Sequence, residues 1–294
     1  MNYTIKNEYY TAKISSLGAE LISLKSADGY EYIWQNDEKK FWKNHAPVLF
    51  PACGRILDSK YTYDGVEYPL GTHGFLNSVE FKAERVEENK LTLSFDANET
   101  TLLSYPFDFT AVADFTLEGD KLIFNFKVKN NSERTMPYMF GWHPGFVLPT
   151  EDGQDIEDYF ADFGSGIDTL NWFKLQHEVF VSPTSESYPL ENSRYRLNEK
   201  EIYSNDTLIF TGHANRVKLY ADGKPYLLDF SWSDNLPYLC IWKSDANDAK
   251  FLCLEPWNSV PGDGETPENF NTRKMARLPA NSESVYTYTI KITR

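Results

Sequence analysis

The feature that most restricts the fold of this chain is a two-residue alternation of side-chain character in two long segments. In the first, apolar residues alternate with polar ones (Leu122, Phe124, Phe126 and Val128 against Asn125, Lys127 and Lys129). The second lies near the C-terminus (Tyr286, Tyr288, Ile290 and Ile292). Because successive side chains of a β-strand point to opposite faces, this period predicts strands with one buried face.

Turn signals between such runs predict hairpins. Three of the Asp-Gly pairs, at 28–29, 64–65 and 222–223, lie between β-rich runs, and Asp-Gly is typical of tight hairpin turns. The pair at 64–65 is the clearest, because the runs 60–63 and 66–69 flank a two-residue loop. The runs 79–87 and 91–97, joined by a polar stretch, predict a further pair of strands.

Helical signals are few and short, near 36–44, 98–105 and 265–275. Neither a Gly/Ser-rich linker nor an internal repeat marks a domain boundary. Many strands joined by short turns without a dividing point predict an all-β protein. We therefore expect one domain over 1–294, a large antiparallel β-sandwich with few short helices.

Charge and cysteine content restrict the partners. The net charge of −14 disfavours nucleic acid and anionic membranes, which require basic surfaces. The N-terminus lacks the apolar stretch of a signal peptide, and no run is long enough to span a membrane, so we expect a cytoplasmic protein. Three cysteines with no metal-ligand spacing predict free buried thiols and no metal site (Cys53, Cys240 and Cys253). The sequence does not indicate an oligomeric state.

Two short segments each place a proton-transfer side chain between an aromatic residue and a proline. They are 141–146 (Gly-Trp-His-Pro-Gly-Phe), with His143, and 254–257 (Leu-Glu-Pro-Trp), with Glu255. Proline fixes its own φ and restricts the residue before it, so the backbone beside both side chains is stiff. A histidine and a carboxylate on stiff backbone beside indole rings suit acid–base chemistry on a sugar.

Strand parity supports this pairing. If both segments are extended, His143 shares a face with Gly141, and Glu255 shares a face with Cys253. Each candidate also stands at the end of an apolar strand, just before a proline interrupts it. The apolar run 251–254 makes full exposure of Glu255 unfavourable, which predicts a nearby donor or a raised pKa. The alternatives are a structural histidine that binds a loop carbonyl and a structural ion pair.

Two weaker signals come earlier in the chain. Arg55 follows a compact turn, and its guanidinium suits either sugar hydroxyls or an acidic neighbour. His73 lies in the segment 71–75 (Gly-Thr-His-Gly-Phe), where glycine lets the backbone approach a ligand closely. It either contacts substrate or occupies a turn.

In combination, four motifs resemble the aldose 1-epimerase (galactose mutarotase-like) family, in particular its bacterial LacX-like branch. They are Phe-Pro…Gly-Arg over 50–55, His-Gly-Phe over 73–75, and the segments 141–146 and 253–257. The resemblance covers nearly the whole chain. It implies a galactose mutarotase-type β-sandwich with a sugar cleft across one sheet, a small-molecule sugar as substrate, and no cofactor or metal.

The resemblance also implies roles for individual residues. Glu255 corresponds to the general base and His143 to the general acid, while His73 assists at the ring oxygen or a neighbouring hydroxyl and Arg55 binds hydroxyls. The family places an aspartate on a sugar hydroxyl, for which Asp229 is the candidate and Asp234 or Asp263 the alternatives. Trp142 or Trp257 offers a ring face to the sugar, or packs in the core.

The expected reaction is interconversion of the α- and β-anomers of an aldohexose. A glycoside hydrolase is the nearest enzymatic alternative, but it requires two carboxylates, whereas these motifs hold one carboxylate and two histidines. A non-enzymatic sugar-binding protein or sensor on the same fold is the alternative from another class. A hexose-6-phosphate epimerase would need a basic pocket, for which Arg55 is the candidate.

Overall fold

Antiparallel β-sheets dominate the fold. The computed structural model describes residues 1–35, 41–151, 153–224, 227–244 and 249–292. Every strand pair within them is antiparallel, which confirms the predicted all-β class. The described residues contain no helix that is both long and apolar enough to cross a membrane.

The larger sheet has nine strands and contains both alternating segments. Strands Lys121–Asn130 and Glu283–Ile292 pair in its centre, with Phe124 opposite Tyr288. In spatial order the strands are Arg194–Arg196, Tyr159–Asp162, Arg216–Ala221, Leu228–Trp232, Glu283–Ile292, Lys121–Asn130, Phe109–Glu118, Lys90–Asp96 and Lys82–Val86.

The second sheet has eight strands and centres on a fully buried one, Phe251–Trp257. In spatial order its path is Glu186–Pro189, Thr169–Phe173, Thr207–Thr211, Tyr238–Trp242, Phe251–Trp257, Gly141–Trp142 and Val48–Leu49. Gly145–Val147 also pairs with the central strand.

Smaller elements complete the described chain. A three-stranded sheet comprises Asn2–Lys6, Tyr10–Ser15 and Leu21–Ser26. Two-stranded sheets pair Lys60–Tyr63 with Val66–Pro69, Met136–Tyr138 with Ala276–Leu278, and Leu175–Gln176 with Phe180–Val181. The α-helices are Glu99–Leu102 and Glu199–Ser204, and 3₁₀ turns span Leu57–Ser59, Leu76–Ser78 and Ile156–Asp158.

Aromatic side chains join the two large sheets face to face. Trp142 of the eight-stranded sheet is fully buried, with its ring centroid 4.9 Å from that of Phe124 and 5.2 Å from that of Tyr288. Phe146 meets Phe230 in the same layer at 5.7 Å. Offset and edge-on aromatic contacts of this kind add to the hydrophobic stabilisation of the core. Aromatic residues make up 16% of the chain, and packing between the sheets accounts for many of them.

The predicted hairpin at 64–65 is confirmed, with Lys60–Tyr63 paired to Val66–Pro69. Asp64 and Gly65 have φ of 50° and 78°, the positive values that a two-residue hairpin turn of this twist requires. The predicted pair 79–87 and 91–97 is confirmed as Lys82–Val86 with Lys90–Asp96.

Within the described residues, only one of the three helix predictions corresponds to an α-helix, and that helix is shorter than predicted. The signal at 98–105 yields only Glu99–Leu102, capped by Asn98. The signal at 265–275 is wrong, because the backbone of this segment pairs with Thr62 instead: the Thr62 N–H donates to the carbonyl of Glu268, and the Phe270 N–H donates to the carbonyl of Thr62. In 36–44, residues 36–40 lie outside the described residues and 41–44 are not helical.

Candidate active site

The central strand Phe251–Trp257 has one face in the core and the other in a cleft. Leu252 and Leu254 join the main core, whereas Glu255 and Trp257 line a cavity of about 220 Å³. Cross-strand register carries the same face onto the next strand, where Cys240 lies opposite Glu255. Alternation along one strand thus places a carboxylate at the floor of the cleft, as strand parity predicted.

His143 is positioned opposite this carboxylate by the neighbouring segment. Gly141 pairs with Trp257 and Gly145 pairs with Cys253, so residue 143 falls level with residue 255. The backbone N–H of His143 donates to the carbonyl of Pro47, which anchors the turn. Glycine is needed at 141, because a Cβ there would lie 2.3 Å from Cδ1 of Trp257.

The two predicted proton-transfer groups are in contact. Nε2 of His143 lies 3.2 Å from Oε1 of Glu255, and the residues are only 6% and 1% exposed. Burial raises the pKa of Glu255 well above its ordinary value, and nearby Asp206 raises it further. Burial also lowers the pKa of His143 well below its ordinary value, and nearby His73 lowers it further. Both shifts favour uncharged forms, as expected for groups removed from water.

Three buried polar atoms of this site lack a hydrogen-bond partner within the described residues. They are His143 Nδ1, Glu255 Oε2 and Trp257 Nε1. Unpaired buried polar atoms are costly in a folded protein, and they concentrate at functional sites. Together they offer a polyhydroxylated ligand several donors and acceptors in one small volume.

His73 lines the same cleft as a neutral donor. Its Nδ1 accepts a hydrogen bond of 3.0 Å from the backbone N–H of Gly54, so the proton of the neutral ring lies on Nε2. Burial lowers the pKa of His73 to about 4. Its φ of 63° is unfavourable for a residue with a side chain, and such strain clusters at functional sites. The ring centroid is 5.5 Å from that of His143.

Arg55 is exposed at the cleft, and it has no ion-pair or hydrogen-bond partner among the residues that the structure describes. Its guanidinium is therefore available to a ligand. Of the two roles that the sequence left open, the ion pair with an acidic neighbour is not observed.

Some cleft residues were not predicted from the sequence. The Trp42 ring stacks on His143 at 4.8 Å, and Trp242 contacts the same ring edge-on at 5.5 Å. Asp206 lines the cleft from the turn before strand Thr207–Thr211. A turn signal could have located Asp206 before a strand. Because the run 238–242 is apolar throughout, the sequence does not show which face of that strand carries Trp242. No sequence pattern indicates a position in the cleft for Trp42.

Other predicted residues lie elsewhere. Trp142 is in the core, where its indole N–H donates to the carbonyl of Ala46 at 2.9 Å, so the packing alternative holds. Asp229 belongs to the nine-stranded sheet and forms a two-pronged ion pair with Arg216. The alternatives Asp234 and Asp263 do not line this cleft either. Trp142 precedes His143 directly, so its side chain points to the opposite face, and Asp229 lies in the other sheet, which an apolar strand pattern does not reveal.

One group of side chains at the cleft floor has the donor set of a metal site. Ligand atoms of His143, Cys253 and Glu255 all lie within 4.8 Å of one another, and the three residues are buried. The spacing of the cysteines in the sequence predicted no such cluster, because only one of its ligands is a cysteine.

Comparisons with known proteins identify the family of this chain. The sequence model of the aldose 1-epimerase family matches residues 1–269. The plasmid-encoded protein LacX of Lactococcus lactis subsp. lactis is 34% identical over 270 residues, which cover 88% of each chain.

Solved structures give the same result. A galactose mutarotase related enzyme from Lactobacillus acidophilus superposes with a TM-score of 0.92 at 30% identity, covering 100% of this chain and 98% of that one. A galactose mutarotase-like protein from Lactobacillus casei ATCC 334 gives 0.90 at 25% identity over the full length of both chains. This chain belongs to the aldose 1-epimerase family.

Proposed function

We propose that the protein is an aldose 1-epimerase that interconverts the α- and β-anomers of an aldohexose. The observation that carries this proposal is the buried contact between His143 and Glu255 at the floor of the cleft. The reaction needs one base and one acid acting on neighbouring oxygen atoms of the sugar, and this pair supplies both.

The proton balance of the pair matches that of the reaction. Ring opening moves the O1 proton of the sugar to the Glu255 carboxylate while His143 gives a proton to O5, the C1–O5 bond breaks and C1=O1 forms. Rotation about C1–C2 and the reverse transfers close the ring on the other face. The pair holds one proton before and after each transfer, so the overall reaction requires no exchange with solvent.

Burial favours this one-proton state. A second proton would place a buried cation on His143, and loss of the only proton would leave a buried anion on Glu255; both are penalised in a site of low polarity. In the free protein the proton then rests on Glu255. Hydroxyl groups of a bound sugar would stabilise the charge-separated form that begins ring opening.

The remaining cleft residues would bind and orient the sugar. His73 presents its Nε2–H, and Arg55 presents a guanidinium without an ion-pair partner in the described chain. Asp206 offers a carboxylate to sugar hydroxyls. Trp257 and Trp242 border the cavity and suit the apolar face of a sugar ring.

Polarimetry tests the proposal directly. We expect the protein to accelerate the change in rotation of freshly dissolved α-D-galactose or α-D-glucose, with both anomers approaching the same final value. Binding of either sugar without faster exchange would instead indicate a sugar-binding protein. Because Arg55 has no ion-pair partner in the part of the chain that the structure describes, α-D-glucose 6-phosphate is the next substrate to assay, and acceleration of this sugar alone would favour the phosphorylated substrate.

Asp206 lines the cleft in the structure, whereas Asp229 was the candidate from the sequence, so substitution of each aspartate tests which of them contacts the sugar. We expect Asp206→Asn to raise KM about 10-fold or more, since a hydrogen bond to a charged group contributes about 1.5–3 kcal/mol. Asp229→Asn should leave KM unchanged, because Asp229 lies on the other sheet with Arg216. Initial-rate polarimetry over a range of sugar concentrations measures both. A raised KM for Asp229→Asn alone would reassign the sugar contact.

A further inference from the structure

We propose that His143, Cys253 and Glu255 form a binding site for a thiophilic divalent cation of the zinc class. Their ligand atoms lie within 4.8 Å of one another, and all three residues are buried. The resemblance of the chain to mutarotases implies no such site. The proposal concerns a ligand that competes with the sugar chemistry rather than a cofactor that performs it.

The fold brings the three ligands together through strand geometry. Cys253 and Glu255 are two residues apart on one strand and therefore share a face. His143 lies level with them on the adjoining segment, since Gly145 pairs with Cys253 and Gly141 with Trp257. None of the three requires a long flexible side chain to reach the centre.

An unpartnered atom indicates a ligand at this point independently of the cysteine. Glu255 Oε2 has no hydrogen-bond partner in the described chain, and the residue is 1% exposed. In tetrahedral zinc sites, bond lengths of about 2.0–2.3 Å separate the donor atoms by roughly 3.2–3.8 Å. Shortening the longest separations in the cluster by about 1–1.6 Å would bring the ligand atoms of the three residues to bonding distance of a common ion.

Charge and ligand type select the metal. A thiolate and a carboxylate together neutralise a dication, which removes the main penalty for placing an ion among apolar groups. Sulfur and imidazole ligands favour zinc-class ions over magnesium or calcium, which prefer oxygen. Three protein ligands leave a fourth position, and His143 and Glu255 direct it toward the cleft that sugar would enter. Binding releases the thiol proton and the proton that the His143–Glu255 pair holds.

Cobalt spectroscopy provides the first test, without reference to turnover. Titration of the reduced protein with Co²⁺ under anaerobic conditions should produce a thiolate-to-cobalt charge-transfer band in the near ultraviolet and visible bands of tetrahedral intensity. The thiolate band should disappear in Cys253→Ala and persist in Cys240→Ala. Cys240 is a matched control, since it is a buried thiol directly across from Glu255 but outside the cluster.

Calorimetry with Zn²⁺ provides the second test. We expect Cys253→Ala and His143→Gln each to weaken binding at least 10-fold, with Cys240→Ala unchanged. If Cys253→Ala fails to fold, His143→Gln carries the test, because its side chain borders the cleft rather than the core. Absence of the thiolate band in the wild-type protein, or its retention in Cys253→Ala, would overturn the site.

Inhibition is a consequence that rests on the proposed function. Zn²⁺ bound to His143 and Glu255 should abolish accelerated mutarotation, and a chelator should restore it. The two proposals can fail separately. A cobalt spectrum in a protein without epimerase activity would retain the metal site and reject the function, whereas activity without the spectrum would do the reverse.

Discussion

Glu255→Gln should lower the rate of anomer interconversion by about 10²–10⁴-fold, the contribution of a positioned acid or base. The amide has nearly the shape of the carboxyl group but cannot accept the O1 proton. Burial already favours the uncharged carboxylic acid at this position, so the neutral amide introduces no new charge imbalance. We therefore expect little change in the melting temperature. Polarimetry with α-D-galactose measures the rate, and circular dichroism measures the melting temperature.

The same substitution at a second buried glutamate is the matched control. Glu268 is 6% exposed and ion-paired with the partly buried Arg273, so Glu268→Gln removes the countercharge of a largely desolvated cation. Breaking such a pair costs about 3–5 kcal/mol. We expect Glu268→Gln to lower the melting temperature while the folded fraction keeps its activity. A Glu255→Gln variant that retained the wild-type rate would remove Glu255 from the mechanism.

Trp142→Ala should lower the free energy of unfolding by about 3–5 kcal/mol, the range for deletion of a large buried aromatic side chain. The ring lies between the two large sheets against Phe124 and Tyr288, so its loss leaves a cavity that neither sheet can readily fill. The carbonyl of Ala46 also loses its indole donor. Urea denaturation followed by circular dichroism measures the change.

Trp257→Ala is the comparison, because Trp257 borders the cleft and its Nε1 has no partner among the described residues. Part of the space left by its ring would merge with the cleft and admit water. We expect a smaller loss of stability than at Trp142, together with a higher KM. Equal losses of stability at the two positions, with KM unchanged at Trp257, would show that both rings serve only packing.

Local sequence patterns predicted the strands well. The alternation at Lys121–Asn130 and the turn at Asp64 concern neighbours along the chain, and both appear in the structure. The helical signal at 265–275 failed because the backbone groups of Glu268 and Phe270 form hydrogen bonds with Thr62, a residue distant in the sequence that hydrophobic periodicity does not take into account.

Predictions about the site depended on which residues become neighbours across strands. Parity within one strand placed Glu255 correctly, but no sequence pattern states that strand Tyr238–Trp242 lies beside it and contributes Trp242. For the same reason Asp206, which reaches the cleft from a turn, was not among the aspartates considered, whereas Asp229 was the candidate. The tertiary fold determines which strands are neighbours and in which register they pair, so neither Trp242 nor Asp206 could be assigned to the cleft from the sequence.

The central strand has a consequence for anyone mapping this protein by random mutagenesis. Leu252 and Leu254 pack in the core, one peptide unit away from Cys253 and Glu255 on the cleft side. A larger or smaller side chain at either leucine would tilt the shared backbone and shift the carboxylate without touching the sugar. A screen for inactive but well-expressed variants will therefore return consecutive positions along this strand. Some of these positions face the core, so the set will not show which residues contact the sugar.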